Sequence, residues 1–112
     1  DSLDSTEKLR LFDEKTGDKV SLQLDSGNAK VMRIDGIDIL RSSPNDFETL
    51  HVKDAKKGEK RSYSLGKGKV NLQEFVKISG KKEVSWLIIE DENAEKPMEA
   101  VQKDYAFLKN LL

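Results

Sequence analysis

Hydrophobic positions along the chain follow two rhythms, a period of two through most of its length and a helical period at its end. Leu9 and Leu11 alternate with polar neighbours over 8–13, and Val20, Leu22 and Leu24 do so over 19–24. Thr16-Gly17-Asp18 supplies turn chemistry between them, so the spacing predicts a β-hairpin. Asp25-Ser26-Gly27-Asn28 is the next punctuation. From Val31 to Leu40 the pattern sharpens, because Asp35-Gly36 between Ile34 and Ile37 suits a type I′ hairpin turn. That register sets Met32, Ile34, Ile37 and Ile39 on one face and pairs Arg33 with Asp38 on the other. After a loop at 42–46, residues 47–53 and 61–65 read as a further pair of strands around the linker 54–59. Gly66-Lys67-Gly68-Lys69 breaks the second of them.

Residues 70–78 fit two elements. Asn71 with Glu74 resembles a capping pair, Leu72, Phe75 and Val76 share a helical face, and Gly80 could close the end. The Val, Phe and Ile content favours a strand with a bulge at Phe75-Val76, and that is the expectation. Val84 to Ile89 is nearly all apolar, which predicts a strand covered on both faces with Trp86 in the core. Met98, Val101, Tyr105, Leu108 and Leu112 then recur at three- and four-residue steps, widened by Phe107 and Leu111. With Pro97 in the first turn and Glu95 and Glu99 near the positive end, this predicts a helix over 95–111 packed on the sheet.

The expected fold is therefore mainly β (α+β). It is an antiparallel sheet, a small barrel or sandwich of about six to eight short strands, closed by one C-terminal amphipathic helix. Such an architecture resembles pleckstrin-homology-like domains, and the 31–40 hairpin is similar to edge hairpins of carbohydrate-active β-sandwiches. Both are likenesses of architecture, which does not fix function.

Composition narrows the chemistry. A chain of 112 residues suits one domain, here 8–112 behind a flexible polar segment 1–7. It opens on Asp1 without an initiator Met, as a processed extracytoplasmic protein or an excised domain of a cytoplasmic one would. No cysteine is present, which excludes disulfides, thiolate metal sites and a cysteine nucleophile. The single histidine, His51, removes most zinc constellations and stands in no triad spacing. Asp91-Glu92-Asn93 lacks the spacing of a calcium loop, and Gly66–Lys69 is too short for a phosphate loop. No apolar run reaches the ~20 residues of a membrane span. The sequence thus assigns no catalytic, cofactor-binding or metal-ligating residue, and no cofactor.

Charge is the one uneven feature. Net charge is −1, yet residues 53–82 hold ten Lys or Arg against three acids, while the remainder is acidic. Lys53, Lys56, Lys57, Lys60, Arg61, Lys67 and Lys69 form the candidate binding surface. The expected function is a non-catalytic binding or adaptor module for a protein partner. An anionic ligand or phosphoinositide headgroup on the basic region is the alternative, and a small enzyme centred on His51 the second alternative. Nucleic acid fits poorly, since no aromatic interleaves the lysines.

Overall fold

The computed structural model describes residues 3–112, Asp18 by its backbone alone; of the N-terminal segment expected at 1–7, Asp1 and Ser2 lie outside the described residues. Helix α1 (Thr6–Thr16) starts where Ser5 caps the Lys8 amide, and a one-turn 3₁₀ helix (Gly17–Lys19) follows it. Strand β1 (Leu22–Asp25) leads into α2 (Ser26–Val31) and α3 (Gly36–Ser42), and β2 (Phe47–Val52) follows. A small antiparallel pair, β3 (Asp54–Ala55) with β4 (Ser62–Tyr63), precedes α4 (Leu72–Lys81), β5 (Trp86–Ile89) and α5 (Pro97–Leu111).

The main sheet has the order β1-β2-β5, and both of its pairings are parallel. Parallel neighbours require long crossovers, which α2 with α3 and then α4 provide. This overturns the mainly β, antiparallel expectation: the described chain is 47% helix and 17% strand, with no barrel. Neither first hairpin forms, since α1 stands where its first strand was expected. Asp35-Gly36 starts a helix instead of turning a hairpin, because the Asp35 carboxylate accepts the Asp38 amide at 3.0 Å and Ile39 and Leu40 bury. Residues 70–78 take the helical alternative: Asn71 accepts the Glu74 amide, and Leu72, Phe75, Val76 and Ile78 form one buried face. Strand β4 pairs with β3, not with β2.

One face of the sheet carries the core. Leu24, Leu50 and Val52 project into it with Leu87 and Ile89 beside them, packed against Ile39, Leu40, Phe75 and Val76 from α3 and α4. On the other face the register aligns Gln23, Thr49 and Trp86 in one row and Asp25, His51 and Ile88 in the next. Trp86 is 68% exposed, so the expectation of a core tryptophan on a doubly covered strand is wrong; β5 is an edge strand with its outer face open. Helix α5 sits where a C-terminal helix was expected, but rotated. It buries Leu108 and Asp104, with Phe107 and Leu111 partly covered, and leaves Met98, Val101, Tyr105 and Leu112 exposed.

Candidate functional site

In open α/β sheets, ligands bind beyond the carboxyl ends of the parallel strands, where loops diverge and backbone polar groups are free. Three ionisable side chains meet there. Asp25 ends β1, His51 is the penultimate residue of β2, and Glu90 directly follows β5. The strand register aligns Asp25 with His51, and the Glu90 amide bonds the Val52 carbonyl at 3.3 Å, which brings the third group level with the other two. His51 Nδ1 lies 2.6 Å from Glu90 Oε2 and 3.7 Å from Asp25 Oδ2. One ligand atom from each of the three residues fits within 4.8 Å of the others, and all three side chains are half-buried.

Local structure orients each group. Asp25 is also the N-cap of α2, so its Oδ1 accepts the Asn28 amide at 2.7 Å and its Oδ2 is turned towards His51. Residues 47–52 form a strand because Phe47, Leu50 and Val52 bury on the core side, which sends His51 to the open side. In β5, Leu87 and Ile89 do the same work for Glu90.

Beside this trio stands a buried lysine. Lys53 Nζ is 2.9 Å from Glu92, 3.6 Å from Glu90 and 4.0 Å from Asp25, and it donates to Asn28 Oδ1 at 3.3 Å. Burial alone would lower its pKa; the hydrogen bond to Glu92 and the charges of Asp25 and Glu90 outweigh that and hold it above the usual lysine value. Ser26 Oγ clamps the Lys53 backbone, accepting its amide at 3.0 Å and donating to its carbonyl at 2.7 Å. Gly27 leaves room for the stem: a Cβ there would stand 2.5 Å from Lys53 Cγ. Three carboxylates therefore face one ammonium beside the His51 imidazole.

The expected basic surface is dispersed. Lys53 is buried in the acidic cluster just described. Lys56 and Arg61 lie over the Tyr63 ring at 4.5 and 4.6 Å, and Lys60 is exposed. Arg61 and Lys67 line a cleft against α5, whereas Lys57 and Lys69 line a different cleft with Lys30 and Arg33. In the sequence His51 marks only the alternative of a small enzyme, and neither Asp25 nor Glu90 is among the candidate site residues. The available signal is positional, since each stands at or beside the end of an apolar run, but only the parallel order makes those ends neighbours.

The loop after β4 is built around another carboxylate. Asp54, 1% exposed, accepts the amides of Ala55 (2.9 Å), Gly66 (2.9 Å), Gly68 (2.8 Å) and Val70 (3.1 Å). Gly68 is required by this approach, because a Cβ there would overlap the Asp54 carboxylate. The Gly66–Lys69 segment, too short for a phosphate loop, is thus a backbone cradle wrapped on an internal anion. The chain matches no protein-family model and no curated protein sequence, and the site is read from its geometry alone.

Proposed function

We propose that this protein binds a divalent transition-metal ion through Asp25, His51 and Glu90, and presents it to an oxygen-bearing ligand on the uncovered face of the sheet. One imidazole and two carboxylates are a borderline-to-hard donor set, suited to Mn²⁺, Co²⁺ or Zn²⁺. The observation that carries the reading is the convergence of the three ligand atoms within 4.8 Å at the strand ends. Ligands about such an ion stand roughly 3–3.5 Å apart at bond lengths near 2.1 Å, so small rotamer changes close the set. Three protein ligands leave positions for water or substrate, the arrangement of catalytic rather than structural sites. A bound ion would act there as a Lewis acid. Lys53 would hold the carboxylates in place and supply a fixed positive charge beside the same ligand.

Isothermal titration of the full chain with Mn²⁺, Co²⁺ and Zn²⁺ tests this. One ion per chain is expected, with His51→Ala and Glu90→Gln each weakening it by at least about tenfold. No binding by the wild type, or equal binding by folded His51→Ala, removes the proposal.

The protein-binding module expected from the sequence stays as a second reading. Trp86 and Ile88, exposed on one face of β5, and Met98, Val101 and Tyr105, exposed on one stripe of α5, favour it, because neighbouring exposed apolar groups mark association sites. Sedimentation of wild type and Trp86→Ser checks it for self-association: a concentration-dependent dimer lost in the variant supports it.

A further inference from the structure

We infer that the cleft between α2, α3 and the start of α4 is a second binding site, for the phosphate group of a small phosphomonoester. The cleft has a volume of about 390 Å³. Four cationic side chains reach it from separate parts of the chain: Lys30 from α2, Arg33 from the turn after it, Lys57 from the β3–β4 loop and Lys69 from the cradle around Asp54. None of the four makes an ion pair among the described residues. The single acid on the cleft wall, Asp35, caps α3 with its Oδ1.

Four like charges set against a single acid repel on balance, and folding gains nothing from holding them together, so the arrangement is suited to an anion that is not part of the chain. Backbone geometry fixes the segments that carry the cations. Arg33 is held at φ 63°, a left-handed conformation costly for a side chain of its kind. The Lys57-Gly58 tip folds over it: a Cβ at Gly58 would be 3.9 Å from the Arg33 guanidinium. Lys69 is fixed by its own amide on the Ala55 carbonyl at 2.9 Å and by Asp54 on either side of it, at Gly68 and Val70. A guanidinium fork and three ammonium groups supply the charge and the donors that a phosphate dianion takes.

The floor sets the rest of the ligand. Ile34, Ile37, Val70 and Phe75 line the cleft beneath the cations, so it offers apolar contact to the body that carries the phosphate. Phosphate alone would leave that floor unused. Neither Asp25, His51 nor Glu90 lines this cleft, so the site is separate from the proposed metal centre and does not rest on it.

Titration of the full-length chain, kept metal-free with a chelator, with phenyl phosphate and with inorganic phosphate, followed by calorimetry and amide NMR, is the test. Phenyl phosphate is expected to bind more tightly than inorganic phosphate and to shift the Ile37 and Val70 amides. The double variant Lys57→Gln/Lys69→Gln should weaken it at least about tenfold, and Lys60→Gln/Lys67→Gln, which removes the same charge outside the cleft, by less than about twofold. All four positions are exposed, so both variants keep the fold. No binding by the wild type, equal losses in the two double variants, or equal affinity for the two phosphates would overturn the assignment.

Discussion

Asp54 is the residue on which the architecture of the site's flank depends most. Replacing it with Ala removes the acceptor of four backbone amides at once, in a position 1% exposed where water cannot substitute. A hydrogen bond to a charged acceptor contributes about 1.5–3 kcal/mol, and each orphaned buried donor costs about 1–3 kcal/mol. The four are not additive, because the 66–70 loop can peel away and rehydrate some of them. A loss of about 3–5 kcal/mol is expected, a large share of the ~5–15 kcal/mol available to a domain of this size. With a urea slope of about 2 kcal/mol per molar, the unfolding midpoint falls by about 2 M. Asp54→Asn separates the explanations. The amide keeps the volume and one oxygen but turns an N–H₂ group onto amides that need an acceptor, so Asn should be nearly as damaging as Ala. Urea unfolding followed by circular dichroism measures both. If Asp54→Asn unfolds within about 0.3 M of the wild type, the carboxylate is not what organises this loop, and the reasoning fails.

Two further outcomes follow from buried charge and close contact. Asp104 is buried, accepts the Leu65 amide with Oδ1 and leaves Oδ2 without a partner. Burial, helped by the charges of Asp91 and Asp54, raises its pKa above the ordinary 3.8 despite that hydrogen bond. The folded state therefore holds this proton to higher pH than the unfolded chain does. Its contribution to stability is intact below pH 3.8 and is lost as pH rises through the folded value. Asp104→Asn should then be more stable than the wild type at neutral pH by on the order of 1 kcal/mol, the gain vanishing towards pH 3 in thermal melts. At Gly27 a methyl group meets the Lys53 stem, so Gly27→Ala should cost about 1–3 kcal/mol and displace the ammonium from Glu92. A variant as stable as the wild type in urea, with unchanged Lys53 Nζ resonances, would show that the stem moves aside freely.

Local structure is legible in the residues wherever their chemistry is self-sufficient. Gly17 ends an element, Asn71 and Glu74 can cap a helix, and 97–111 carries a helical stripe beginning at a proline; these depend on neighbours within four residues. The sequence did not determine which of two local readings wins. Asp35-Gly36 is an equally good hairpin turn and helix start, and the choice fell to burial of Ile39 and Leu40 against the sheet. Within α5 four of the five stripe residues are exposed, because Leu108 alone of them meets the core, together with Phe107 and the buried carboxylate of Asp104. Trp86 could be placed in a strand but not on a face, since its exposure follows from β5 lying at the edge of the sheet. Sites were the least legible part, for the same reason. Asp25, His51 and Glu90 are separated by 26 and 39 residues, and nothing in their spacing marks a motif. They become one cluster only because β1, β2 and β5 run parallel, so that all three strand ends lie on the same side. Lys53, by sequence one of seven surface cations, is withdrawn into that cluster, whereas Lys57 and Lys69 are joined across a cleft by Lys30 and Arg33 from outside the basic segment. Charge can be counted along a chain, but a site requires charges that the tertiary fold brings to one point.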